Sequence, residues 1–85
     1  MLQRISCLEM REDFQIFARF DDGKEVLYDM REDIATIAPF KDLEEIPGLF
    51  ATGRLDESRT CIEWNDFIDL PSHALYEYGV PVSAP

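Results

Sequence analysis

Carboxylates are the chemically capable groups this sequence holds in excess: eighteen Asp and Glu among 85 residues, against eight Lys and Arg and one His. Adjacent pairs include Glu12–Asp13, Asp21–Asp22, Glu44–Glu45 and Asp56–Glu57. A pair can do general acid–base work only when one member is desolvated, so that its pKa climbs toward the working pH. These four sit among polar residues in turn-like stretches, so they are read as solvated surface. Asp21-Asp22-Gly23 opens like a calcium loop but lacks the roughly twelve-residue spacing and the closing Glu. It is read as a turn.

A second constellation lies near the C-terminus. Asp66 and Asp69 flank Phe67-Ile68, close after Trp64 and just before His73. With Trp64 as a wall, Asp66, Asp69 and His73 are the weak candidates for holding a small ligand. The plainer reading gives Asp69, two residues before Pro71, the task of satisfying N–H groups at the start of the last helix. Ser72-His73 is no catalytic pair, because a nucleophile and its base normally come from separate segments. Glycines at 23, 48, 53 and 79 never cluster into a phosphate-binding loop. Two cysteines, Cys7 and Cys61, and one histidine cannot supply the four ligands of a zinc-finger site. Both cysteines fall in apolar-periodic segments and are read as reduced thiols packed as small hydrophobes. The expectation is a non-enzyme with no cofactor and no metal.

The elements that would position these groups follow from hydrophobic period. Ile5 to Met10 alternates weakly, and Arg11-Glu12-Asp13 makes a turn. Phe14, Ile16, Ala18 and Phe20 then share a face at period two. Asp22-Gly23 between apolar runs signals a hairpin, and Glu25 to Tyr28 completes a three-strand antiparallel meander. At Asp29 the period changes. Asp29-x-x-Glu32 has capping-box spacing, and Ile34, Ile37 and Ala38 recur at helical spacing until Pro39 stops the helix. Phe40, Leu43 and Ile46 suggest a second helical turn before Pro47-Gly48. Phe50–Leu55 and Thr60–Trp64 read as a two-strand hairpin around Asp56–Arg59, and Pro71–Tyr78 as a C-terminal helix stopped by Gly79. The fold class is α+β. Residues 1–79 form one domain, and 80–85, with two prolines, a loose tail.

Composition narrows the partners. A formal charge of −10 repels phosphate backbones and anionic lipid, which argues against direct nucleic-acid binding and membrane docking. No apolar run approaches the roughly 20 residues that span a bilayer, and the N-terminus lacks a signal peptide's apolar stretch. A cytoplasmic protein is expected. Phe14, Phe20, Tyr28, Phe50 and Trp64 fall on inward strand positions. Phe17, off that alternation with Gln15 and Arg19, is expected to face outward as a protein-contact residue.

The order of Phe20-x-Asp22-Gly23-x5-Asp29, Phe40-x-x-Leu43, Phe50, Ile62-Glu63-Trp64, Asp69-Leu70 and Leu75-Tyr76 resembles a bacterial family known as domain of unknown function 2442. The resemblance implies a small α+β domain and no established activity, cofactor or catalytic residue. Members of that family look like single domains or precede a helix-turn-helix segment. Their genes often neighbour a small protein, which suggests toxin–antitoxin-like pairing. The favoured function is a protein-interaction module, the acidic partner of a basic protein. Its candidate surface is Asp42, Glu44, Glu45, Asp56 and Glu57 with Phe17, and electrostatic complementarity would set encounter rate and partner choice. The alternative is a homodimer formed through an unpaired sheet edge.

Overall fold

The computed structural model describes residues 3–82. Strands β1 (Ile5–Arg11), β2 (Gln15–Phe20) and β3 (Glu25–Asp29) form the expected antiparallel meander. Ile16, Ala18 and Phe20 are buried on one face of β2, as the period-two pattern requires. The hairpin turn uses Gly23 at φ +93°, with its N–H donating to Phe20 O at 2.9 Å. The other face of β2 carries Phe17, and here the expectation fails. Phe17 is only 7% exposed. Its strand neighbours Glu9 and Leu27 stand opposite it, and the Arg11 guanidinium lies 4.7 Å above its ring. It is not available as a contact residue.

Helix α1 (Arg31–Thr36) begins without the expected capping box. Asp29 instead accepts the Arg31 N–H at 2.9 Å and the Arg31 guanidinium at 2.7 Å, and Met30 occupies the cap position. The helix stops before Pro39, with Ile37 in extended conformation and Pro39 opening a single turn over Ala38–Lys41. Helix α2 (Asp42–Glu45) follows.

The segment expected to be a strand from Phe50 to Leu55 is mostly a turn over Phe50–Thr52, leaving β4 as Arg54–Leu55 alone. Local bonds close the turn, Thr52 N–H to Leu49 O at 3.0 Å and Gly53 N–H to Phe50 O at 3.3 Å, and the Trp64 indole N–H also donates to the Phe50 carbonyl at 2.9 Å inside the core. Strand β5 (Cys61–Asn65) pairs with β4, and a further strand, β6 (Ile68–Pro71), pairs with β5 where the sequence suggested only a connection. Asn65 Oδ1 builds the tight turn between them by accepting the N–H groups of Phe67 and Ile68. Asp69 therefore lies on a strand opposite Glu63, and no side-chain hydrogen bond caps the last helix, α3 (Ser72–Tyr78).

After Gly79 the chain does not trail away. Val80–Pro81 forms β7 on the free edge of β3, and Val82 N–H donates to Glu25 O at 2.9 Å. Residues 83–85 of the expected tail lie outside the described residues. The architecture is thus two antiparallel sheets, β1-β2-β3-β7 and β4-β5-β6. One buried cluster draws on both, including Ile5, Phe20, Val26, Ile62, Trp64 and Leu75. Tyr76 clamps α3 onto the β2–β3 hairpin. Its hydroxyl donates to Asp22 at 2.6 Å, and its ring meets Phe20 edge-on at 4.9 Å.

Candidate protein-binding groove

Where β3, α1, β6 and α3 meet, the surface folds into an open groove of about 610 Å³. Its floor is apolar. Leu27 and Tyr28 come from β3, Ile37 and Phe40 from the stretch after α1, Leu70 from β6, and Ala74 from α3. Tyr78 and Val80 form the lip where α3 turns into β7. Ile37, Tyr78 and Val80 are 43%, 73% and 69% exposed, so apolar surface that a small domain would ordinarily bury stays in water here.

The rim is acidic. Asp29, Glu32 and Asp33 stand along the β3–α1 side and Asp69, shared with a neighbouring polar cleft, on the β6 side, and among the described residues no Lys or Arg lines the groove. The neighbouring Arg31 is engaged with Asp29, 2.7 Å from its carboxylate. Hydrogen bonds from Arg31 hold the Asp29 carboxyl well below the usual carboxylate range. Tyr28 donates its hydroxyl to Asp33. Partial burial, reinforced by the Asp33 carboxylate, pushes the phenol above its ordinary value, so Tyr28 remains a neutral donor at the groove wall.

The residues singled out from sequence are scattered by comparison. Asp42, Glu44 and Glu45 are exposed on α2. Asp56 is engaged within its own turn, accepting from Ser58 Oγ at 2.8 Å and from the Thr60 and Cys61 N–H groups, which together lower its pKa. Glu57 beside it is exposed. Asp66 and Asp69 do converge, with Arg54, Glu63 and Asn65, on a smaller polar cleft of about 260 Å³. Trp64 is not in that cleft, being 5% exposed in the core, and His73 sits exposed on the first turn of α3 without lining it. The four weak ligand candidates therefore do not form one site. Among the described residues no group of three or more His, Cys, Asp or Glu is arranged to hold a metal. Cys7 and Cys61 are free thiols, and burial pushes the Cys61 thiol up, away from the reactive thiolate.

Sequence reasoning missed the groove because it combines residues some fifty positions apart. A signal was present in Asp29, Glu32 and Asp33, three acids beside apolar Tyr28 and Ile37, and in the aromatic-aliphatic lip Tyr78-Gly79-Val80.

Residues 5–81 match the model of a family described as protein of unknown function, DUF2442. The chain belongs to that family. The match runs from the first residue of β1 to the last residue of β7, so both groove-forming sides lie inside the family domain. No curated protein and no solved structure matches the chain. Among the described residues no helix is long and apolar enough to cross a membrane.

Proposed function

We propose that this DUF2442 domain is a non-catalytic protein-interaction module whose groove receives part of a basic protein. One observation carries the reading: an apolar groove with Ile37, Tyr78 and Val80 left exposed, lined also by Asp29, Glu32, Asp33 and Asp69 and, among the described residues, by no Lys or Arg. An apolar patch rimmed by polar groups is the usual form of a protein-contact surface. Carboxylates confined to the rim choose a cationic partner and speed its encounter, while the floor supplies the affinity. The overall charge of −10 favours the same class of partner and opposes pairing of two identical copies. An acidic domain covering a basic protein would also suit a toxin–antitoxin-like pair.

The test is affinity capture from the native host at low salt, comparing the wild-type chain with Ala74→Arg, which places a long cation on the groove floor. A basic protein recovered in near-equal amount with wild type, lost with Ala74→Arg and released by salt would support the reading. Equal recovery by both forms would move the contact elsewhere.

A further inference from the structure

The carboxylates of the groove are not equally free to meet a partner. Asp29 is spent within the chain: its Oδ1 accepts from the Arg31 backbone N–H and Nε, and its Oδ2 accepts from Nε and Nη2. Asp33 gives one oxygen, Oδ2, to the Tyr28 hydroxyl. Among the described residues no donor meets Asp33 Oδ1 or the Glu32 carboxylate. Both residues line the groove together with the Tyr28 and Phe40 rings. Their charges act on one group. The Tyr28 phenol is pushed up first by its partial burial, then by Asp33, and further by Glu32 and Asp29. A negative field therefore stands beside aromatic surface on the α1 side of the groove, with acceptors left unfilled.

We infer that the groove holds an arginine side chain of the basic partner, its guanidinium edge donating to Asp33 Oδ1 and the Glu32 carboxylate and its flat face resting on the aromatic wall. This rests on the reading of the groove as a protein-binding site and names the residue that anchors the partner there. The chemistry of the walls selects among charged groups. A phosphate or carboxylate is repelled, since among the described residues no Lys or Arg lines the groove. An ammonium is a compact, strongly hydrated charge, and the water it keeps would leave Phe40 and Leu70 wet. A guanidinium is more weakly hydrated, spreads five N–H donors in one plane and stacks by its faces on aromatic rings. It can therefore serve two separate acceptors at its edge while its apolar stem lies against aliphatic surface such as Ile37 and Leu70. At about 610 Å³ the groove has room for that side chain and for apolar residues flanking it in the partner. An arginine carried by a peptide thus fits it better than a free guanidinium.

The experiment titrates the full ¹⁵N-labelled chain with three short peptides and with agmatine as a free guanidinium. The peptides are alike except that a central residue, set among Leu and Ala, is Arg, Lys or citrulline, the neutral isostere of Arg. The Arg peptide should bind about tenfold more tightly than the citrulline peptide and about threefold or more tightly than the Lys peptide. Agmatine, lacking the flanking apolar residues, should bind about tenfold more weakly than the Arg peptide. The largest amide shifts should fall at Tyr28, Glu32 and Asp33. Asp33→Asn, whose amide oxygen can still accept from Tyr28, and Glu32→Gln, at an exposed site, should each weaken the Arg peptide about threefold or more and leave the citrulline peptide unchanged. Glu44→Gln, outside the groove, should change neither. Equal binding of the Arg peptide and either of the others, or no shift at Tyr28, Glu32 and Asp33 with millimolar Arg peptide, would overturn the arginine anchor while leaving a basic partner in the groove. Agmatine binding as tightly as the Arg peptide would overturn it too, by making the groove a site for a small free guanidinium. If the host partner binds Ala74→Arg as well as wild type, the underlying reading of the groove fails, whatever the peptides do.

Discussion

Gly79 is the residue whose replacement tests the packing most directly. Its backbone, φ −66° and ψ 149°, is open to any amino acid, so conformational strain cannot explain a glycine there. Space can. A Cβ at this position would lie 2.5 Å from the Leu75 carbonyl oxygen and 2.8 and 2.9 Å from Val26 Cβ and Cγ2. Neither neighbour can yield cheaply. The Leu75 oxygen is backbone at the end of α3 and already accepts the Gly79 N–H at 2.9 Å, and Val26 is fully buried and β-branched. Overpacking of this kind costs about 1–3 kcal/mol. In a domain of this size each kcal/mol moves the melting midpoint by roughly 4–8 °C, so Gly79→Ala should melt about 10 °C below wild type. Thermal and urea unfolding followed by circular dichroism would measure it. Gly48→Ala provides the contrast: φ is +83° and nothing lies within 4 Å, so its cost is the left-handed backbone alone, about 1–2 kcal/mol. A Gly79→Ala midpoint within about 2 °C of wild type would refute the placement of α3 against β3.

Trp64→Phe removes one of the two donors to the Phe50 carbonyl, leaving the Gly53 N–H at 3.3 Å, and should cost about 0.5–1.5 kcal/mol through the lost hydrogen bond, read by urea unfolding. Asp29 has its pKa depressed by Arg31 in the folded state, so its contribution is present above the ordinary carboxylate pKa and lost as pH falls below it. The melting difference between wild type and Asp29→Asn should therefore be largest near neutrality and shrink below about pH 4. Tyr28 has its pKa raised, so its contribution is full below about pH 10 and declines as pH rises beyond that. Tyr28→Phe should remove a late-titrating component from the phenolate absorbance and reduce the alkaline loss of stability.

How far the sequence discloses the fold depends on whether a local pattern and its tertiary use coincide. β2 and its turn were legible because Ile16, Ala18 and Phe20 alternate and Asp22-Gly23 marks the reversal; both signals are local. The end of α1 before Pro39 is equally local. Phe17 was misread because alternation assumes one wet face, and a cross-strand Leu27 with the Arg11 guanidinium covers the second face of β2. Phe50–Thr52 was misread because its apolar Phe50 suits a strand or a turn equally, and the contact that anchors its carbonyl comes from an indole fourteen residues away. β6 was overlooked although Ile68 and Leu70 alternate with Asp69 and Pro71, because four residues ending in proline are too short for the pattern to outweigh a loop.

The elements that escaped sequence reasoning are the ones that create the groove. Without β6 as a strand, Leu70 has no fixed position and Asp69 is merely a carboxylate before a helix. Without β7, Val80 belongs to a tail and the groove loses half of its Tyr78–Val80 lip. An acidic patch sought along α2 and the Asp56–Glu57 turn follows the density of charge in the chain, but density does not make a site. Asp56 accepts hydrogen bonds within its own turn, and Asp42, Glu44 and Glu45 lie on the exposed surface of α2. Asp29 and Asp33 are likewise engaged, by Arg31 and Tyr28, but with Glu32 and Asp69 they border apolar surface. A carboxylate beside exposed apolar area discriminates among partners in a way that a solvated one does not, because a cation docking there is held by the desolvated floor as well as by the rim. Neutralising the rim with Asp33→Asn and Glu32→Gln should therefore weaken partner binding more than the same number of changes at Glu44 and Glu45, at equal net charge. Equal weakening by the two pairs would show that the charge acts as a diffuse field and that the groove has no part in choosing the partner.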